Sequence, residues 1–366
     1  MTNLPMAPTL PMAASRAQPA ALAPEEIDEL KREVRALAAE RRAVILAHNY
    51  QVPEVQDVAD YVGDSLGLSR RAAAAEDAEV IAFCGVHFMA ETASILCPQK
   101  TVLIPDLDAG CSLAASIDVA QLADWRAQHP RGVVVMYVNT TAEVKALTDY
   151  CCTSANAVEV VRHIYDVHGA DTEILFGPDM WLGAYVEKTL GRRMHVWDGE
   201  CHVHAGIRPS DIEATRAAHP DADFLIHPEC GCSTSVMEYV AAGDVSPEGV
   251  HMLSTGGMLK YAQEAERDIA ASISDDDASA QGEGGRDARR REAVVATETG
   301  MLYPLRMAAP DVDFIPANAE ASCMYMKMIT LPKLRDALRD MKFEVRVPEQ
   351  VAERARVPID RMVAVG

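Results

Sequence analysis

Aromatic side chains make up only 5% of this 366-residue chain, so its cores must be aliphatic, built mainly of Ala, Val, Leu and Met. Basic residues are outnumbered: 34 Lys and Arg stand against 55 Asp and Glu, a formal net charge of −21. That balance excludes non-specific binding to nucleic acid, although a local site can still be positive enough for a small anion. No run of 18 or more apolar residues occurs, so no membrane-spanning helix is expected. The first 23 residues lack the apolar stretch of a secretory signal. Rich in Ala, Pro and Met, with Arg16 their single charge, they read as a disordered tail. The nine cysteines are odd in number and widely spaced, which argues against a disulfide framework. Cytoplasmic, reduced thiols are therefore expected, and several must be explained as packing or as metal ligands.

What is present is alternation. Residues 24–40 form an amphipathic helix with Ile27, Leu30, Val34 and Leu37 on one face. Strands are then expected at 43–47, 79–84, 101–104, 132–138, 173–176, 194–197, 223–226, 250–253, 293–296 and 313–315, with helices such as 88–96 and 154–165 between them. This is the signature of an α/β fold with parallel sheets. The stretch AVILAHNYQVPEVQDVADYVGDS, Ala43 to Ser65, shows the unit. An apolar strand ends in His48, Asn49 and Tyr50, and a helix begins at Pro53-Glu54, with Val52, Val55, Ala59 and Val62 on its apolar face. Open α/β sheets bind ligands at such carboxyl ends.

The device repeats. From Ala43 to Cys111 is 68 residues, from Val133 to Cys201 is 68, and from Asp223 to Cys323 is 100. First strands end in His48-Asn49-Tyr50, Tyr137-Val138-Asn139 and His227-Pro228-Glu229, about 90 residues apart. Second strands are assigned as ending in Gly85, in Gly177-Pro178-Asp179 and in Ser254-Thr255. The extra length of the third unit falls on residues 262–291, an acidic, Gly- and Ser-containing segment read as a solvated, mobile insertion. The expectation is three pseudo-symmetric three-layer αβα domains with parallel sheets, their strand ends meeting at one central site. The first domain spans 24–111 and is joined by the segment 327–366. The second spans 112–201 and the third 202–326.

One cysteine per unit, each after a third strand, suggests a soft-metal site of three thiolates. Zinc with three sulfurs and a water, and a four-iron cluster with one open iron, both satisfy that donor set. Three buried structural cysteines are the inert alternative. Ser65 and Ser154 are equally compatible with helix caps, and His204 with a partner of the metal site or with a surface residue. His87, His163, His195 and His251 read as ordinary surface or core residues, and Met324, Met326 and Met328 as packing. Cys151, Cys152, Cys230 and Cys232 do not recur across the units and are kept out of the metal site.

Ten motifs running from residue 47 to 334, among them AHNYQVPEVQDVADYVGDS, VLIPDLDAGCS, YVNTTAEVKA, CTSANAVEVV, GECHVH, FLIHPEC, STGGM and SCMYMKMITLPKL, resemble those of the quinolinate synthase family, the A protein of NAD biosynthesis. The resemblance implies three αβα domains around one [4Fe-4S] cluster held by three cysteines, here Cys111, Cys201 and Cys323. It implies condensation of iminosuccinate with dihydroxyacetone phosphate, releasing phosphate and water. It implies substrate contacts from His48, Ser65, Tyr137, Val138, Asn139, Ser154, His227, Pro228, Glu229 and Thr255. Tyr50 is expected at the reacting centre, and Glu229, Tyr50, His48 and His227 as proton movers, Glu229 first. An aspartate oxidase or dehydrogenase is expected upstream by analogy.

Overall fold

The computed structural model describes residues 22–243, 247–277 and 291–365. The tail expected over residues 1–23 falls outside this range except for its last two residues. Among the described residues twelve short strands form three four-stranded sheets, and every pair in them is parallel. The first sheet holds β1 (Ala43–His48), β2 (Tyr61–Gly63), β3 (Val80–Cys84) and β4 (Thr101–Leu103). The second holds β5 (Val133–Tyr137), β6 (Tyr150–Cys152), β7 (Ile174–Gly177) and β8 (His195–Val196). The third holds β9 (Asp223–Ile226), β10 (Val250–Met252), β11 (Arg291–Ala296) and β12 (Val312–Pro316). Each sheet has the same strand order: the second strand at one edge, then the first, third and fourth. Helices flank all three, giving three pseudo-symmetric αβα layers. The central strands are apolar runs such as VIAFC and VVVMY, buried along nearly their whole length, as parallel strands covered on both faces must be.

The chain divides into two compact units. One holds the residues up to His202 with those from Met324 onward, and the other is Val203–Cys323. The first two sheets belong to the former and the third to the latter. Within the first unit the helix Leu331–Asp340 packs on the helix Pro24–Glu40, and the last helix, Glu349–Ala364, packs against β6 and the helices Ala142–Lys145 and His87–Leu96. The Asn156 carboxamide anchors its end by donating to the carbonyls of Met362 and Val365 at 3.0 and 2.8 Å.

Two strands escape the sequence reading. The helix beginning at Pro53 stops at Val58, so Val62 lies in β2 instead of on a helical face, and β6 is formed by Tyr150-Cys151-Cys152. Both are three-residue edge strands, too short to show periodicity. Their counterpart in the third sheet is β10, and the counterpart of β3 and β7 is β11. The strand ends matching Gly85 and Pro178 are therefore at Thr297, not Ser254-Thr255. The cysteines follow the fourth strand of each sheet, not the third.

The segment 262–291 also differs from expectation. Residues 262–277 continue the helix Thr255–Asp277, with Met258, Tyr261, Ala262 and Ala265 buried at the i, i+3, i+4, i+7 spacing of one helical face. That face packs on the helix Leu302–Ala308. Residues 278–290 lie outside the described range.

Both overlooked edge strands are held by the same contact. The Asp60 carboxylate accepts the Ile45 N–H at 2.8 Å and pairs with Arg35 at 2.7 Å. Asp149 accepts the Val134 N–H at 2.9 Å and pairs with Arg126 at 3.0 Å. Replacing Asp149 with Ala leaves a buried N–H without its acceptor and should cost about 1–3 kcal/mol. Asp149→Asn keeps an acceptor oxygen and should lose less. Urea denaturation of the two variants checks this, and equal losses would contradict the role given to the carbonyl-type oxygen.

Candidate active site

Register explains which side chains share a position. His48 pairs with Gly63 and Tyr137 with Cys152. His227 follows the pair Ile226–Met252 by one step. Ser65 and Ser154 lie two residues beyond Gly63 and Cys152, and Thr255 lies three beyond Met252, which is the same position relative to His227. Each sheet thus ends in a ring or imidazole on its first strand and a hydroxyl just past its edge strand. Two residues further along the first-strand turns stand Tyr50, Asn139 and Glu229.

In the first unit His48 is buried, and its Nδ1 accepts the Tyr50 N–H at 3.2 Å. A neutral imidazole with Nδ1 engaged as acceptor carries its proton on Nε2. The Tyr50 ring stands edge-on to it, centroids 4.5 Å apart. Gln56 braces the turn by donating to the carbonyls of Asn49 and Gln51 at 3.0 and 2.9 Å, and the Lys327 ammonium donates to the Tyr50 carbonyl. Ser65 is not a cap: Asp64 caps that helix by accepting the Gly67 N–H at 2.8 Å. Ser154 precedes the cap residue Asn156 of the helix Ala157–His168. In that turn the N–H groups of Thr153 and Ala155 already donate to Asn156 Oδ1 and Thr153 Oγ1, at 2.9 and 3.2 Å. The Asn139 Oδ1 is shielded from solvent and has no hydrogen-bond partner among the described residues, so a ligand donor placed there would relieve a cost of about 1–3 kcal/mol. Val138 is buried beside it.

In the second unit His204, His227 and Glu229 are all buried and meet. Glu229 Oε2 lies 3.1 Å from His204 Nδ1 and 3.7 Å from His227 Nδ1, and the two imidazoles stack with centroids 4.8 Å apart. His204 Nε2 lies 3.0 Å from the Thr297 hydroxyl. Nδ1–H donating to the carboxylate makes Nε2 the acceptor of the Thr297 O–H. The sequence left His204 between two readings; it is a partner of Glu229. Pro228 sits between His227 and Glu229, and Thr255 opens the helix Thr255–Asp277, itself buried.

All nine cysteines lie among the described residues. Six are buried: Cys84, Cys97, Cys151, Cys152, Cys230 and Cys232. Burial pushes the thiols of Cys84, Cys97, Cys151, Cys152 and Cys230 above their ordinary range, which keeps them protonated and inert. Cys230 donates its S–H to the Ala296 carbonyl at 3.0 Å. The three remaining thiols, Cys111, Cys201 and Cys323, are partly accessible, and they are the three that the repeat selects. By register they follow Leu103, His195 and Ile315 by eight, six and eight residues. The donor set fits a soft metal or an iron–sulfur cluster. Cys111 Sγ already accepts the Ala114 N–H at 3.5 Å, the kind of N–H···S bond that stabilises a ligating thiolate. Cys111 and Cys201 belong to the first unit and Cys323 to the second.

Two carboxylates that sequence reasoning did not assign lie beside these cysteine loops. Glu298 accepts the Cys323 N–H at 2.8 Å through Oε1 and the Gly300 N–H at 2.7 Å through Oε2. Asp179 accepts the Leu182 N–H at 2.7 Å through Oδ1, and the N–H groups of Cys201 and Trp181 lie near enough to favour its charged form. The two occupy the same position, two residues past Gly177 and Ala296, which pair with Met136 and Ile226. Gly199 passes so near that a Cβ there would lie 2.5 Å from the Pro178 carbonyl and from Ser116 Oγ. Lys145 is also wholly buried. Its ammonium donates to the Thr140 carbonyl and lies 5.3 Å over the Phe88 ring. Burial holds its pKa below the ordinary lysine value.

Burial raises the Asp179 carboxyl from its ordinary 3.8 to about 7, against the pull of its backbone donors. The folded chain therefore keeps this proton to higher pH than the unfolded chain, and stability falls as pH rises between about 4 and about 7. Asp179→Asn retains the acceptor oxygen but has no proton to lose. Its urea midpoint should gain on the wild type between pH 5 and pH 8; parallel profiles would contradict the buried charge.

A family model described as "NadA: Quinolinate synthetase A protein" matches residues 32–277 and 283–364. The chain is 53% identical over 339 residues to a quinolinate synthase of Thermus thermophilus, covering 93% of this chain and 98% of that protein. It is 51% identical over 340 residues to the quinolinate synthase of a Mycobacterium species, covering 93% of each. It is 52% identical over 335 residues to that of Mycobacterium tuberculosis, covering 91% of this chain and 88% of the relative. The matched residues take in every side chain of the candidate site, from His48 to Cys323, and the chain belongs to the quinolinate synthetase A protein family.

Proposed function

We propose that this chain is a quinolinate synthase, condensing iminosuccinate with dihydroxyacetone phosphate to give quinolinate, phosphate and water. The observation that carries this reading is the family match across the whole site. Cys111, Cys201 and Cys323 would hold a [4Fe-4S] cluster. Such a cluster on three protein thiolates supplies an iron with an open position, a Lewis acid for a carbonyl, hydroxyl or carboxylate oxygen.

The remaining chemistry belongs to the side chains. A di-acid substrate needs donors for its carboxylates, which the hydroxyls of Ser65, Ser154 and Thr255 and the Asn139 amide provide. His48, with its proton on Nε2, is a further donor. Tyr137 and the buried Val138 and Pro228 shape the walls. Glu229 is the base for carbon-bound protons. A buried carboxylate without a partner is costly; here the His204 Nδ1–H, itself fixed by Thr297, holds it in place while one oxygen takes the proton. Tyr50 and His227 are the neighbouring groups that can hand protons on. The supply of unstable iminosuccinate points to an upstream oxidation of aspartate, by an oxidase or a dehydrogenase. No helix among the described residues is long and apolar enough to cross a membrane, and a cytoplasmic location accords with the reduced thiols proposed here.

The test is anaerobic purification, followed by iron analysis and assay with dihydroxyacetone phosphate and iminosuccinate generated from oxaloacetate and ammonia. About four irons per chain and formation of quinolinate are expected, both lost in Cys111→Ser, Cys201→Ser or Cys323→Ser and kept in Cys230→Ser. Iron-loaded protein that forms no quinolinate would overturn the assignment. Glu229→Gln should keep its iron and lose about 100-fold or more in kcat. Glu298→Gln, which keeps an acceptor for the Cys323 N–H, should keep its iron, whereas Glu298→Ala should lose a large part of it.

A further inference from the structure

A second group of ligand-type side chains lies at the opposite, amino ends of the second sheet. His129 caps the helix Val119–Gln128 just ahead of β5, Glu173 stands immediately before β7, and His195 opens β8. One carboxylate oxygen, Glu173 Oε1, lies 2.6 Å from His129 Nδ1 and 2.9 Å from His195 Nε2. The imidazole centroids are 4.2 Å apart. The three donor atoms lie within 4.8 Å of one another and are partly open to solvent.

The repeat isolates what is special here. A glutamate stands at the start of the third strand in all three sheets, just before β3 and β7 and second in β11, and each meets a basic partner from the segment ahead of the first strand. Glu79 pairs with Arg42, Glu173 with His129, and Glu292 with His219 at 3.1 Å. One such pair suffices to close the amino end of a sheet. In the second sheet alone, among the described residues, a second imidazole is added to the same carboxylate oxygen. The sequence reading took His195 for an ordinary surface or core residue. It donates to an anion that already has a partner, which the structural role of the pair does not require.

We propose that His129, Glu173 and His195 form a binding site for a single divalent transition-metal ion of the zinc class, separate from the three-cysteine site. Two imidazole nitrogens and one carboxylate oxygen are the ligand types such ions take, with water completing the shell on the exposed side. The main chain holds the donors on regular structure. The His129 carbonyl accepts the Gly132 N–H at 2.9 Å, and the Glu173 carbonyl accepts the Val133 N–H at 2.8 Å. The hydrogen bond from His129 foremost, with the charges of both histidines, keeps the Glu173 carboxyl below its ordinary pKa, so it is present as the anion a cation needs. Metal binding would replace the protons now shared among the three groups and would clip together the starts of β5, β7 and β8.

Zinc titrated anaerobically into the full chain as purified, followed by calorimetry, tests this. One saturable site is expected, with no change in the visible absorption of any bound cluster. His195→Gln removes the exposed third ligand while leaving the His129–Glu173 pair that the other sheets manage with, so the variant should fold. Its zinc affinity should fall about tenfold or more, and zinc should raise the melting temperature of the wild type but not of the variant. Zinc-soaked crystals should show anomalous density between the three side chains. Equal zinc affinity in His195→Gln, no saturable site in the wild type, or anomalous density only at cysteines would overturn the proposal.

Discussion

The pairing of each sheet's first strand with a three-residue edge strand is the constraint on which the rest of this structure depends. Parallel pairing fixes register by main-chain hydrogen bonds, and a one-residue slip would turn every side chain to the other face. Because the same pairing occurs three times, it sets His48 with Ser65, Tyr137 with Ser154, and His227 with Thr255. The hydroxyls need no caps or turns of their own to be placed. Asp60 and Asp149, each accepting an N–H of the first strand, lock the register where the edge strands are too short to lock themselves.

The same economy governs the cysteine loops. A loop leaving the fourth strand has no sheet neighbour to hold it, yet a ligating sulfur must be positioned closely. In the third sheet the Glu298 carboxylate, just past the third strand, reaches across to the Cys323 N–H, and in the second Asp179 occupies the same position near the Cys201 N–H. Burying a carboxylate is unfavourable unless it is hydrogen-bonded, and the raised pKa of Asp179 is the mark of that strain. The first sheet does without: Val86 stands at the corresponding position, and Cys111 instead accepts an N–H at its sulfur.

Much of this was legible in the sequence. The apolar runs gave all the strands but β2 and β6, and the equal spacing of 68 residues in two units picked out Cys111 and Cys201 and, with the longer third unit, Cys323. The edge strands were not legible by periodicity, because three residues carry none. The shared Asp-Tyr dipeptide at Asp60-Tyr61 and Asp149-Tyr150 was the available signal. Missing those strands misaligned the third unit and hid the equivalence of Asp179 and Glu298. The helical half of 262–291 was masked by its acidic composition, although Met258, Tyr261, Ala262 and Ala265 already had helical spacing. His204 could not be settled between its two readings and Lys145 could not be read at all, since burial beside Glu229 or near Glu91 follows only from tertiary packing.

The central claim is that three thiols, equivalent by register and distinguished from the other six by their accessibility, are the ligands of one metal cluster. An anaerobic crystal structure with diffraction measured at the iron edge tests it most directly. A single iron site of anomalous density, bonded by Cys111, Cys201 and Cys323, is the expected result. Iron bonded instead by Cys230 and Cys232, or by fewer than all three of these sulfurs in an intact, active protein, would contradict it.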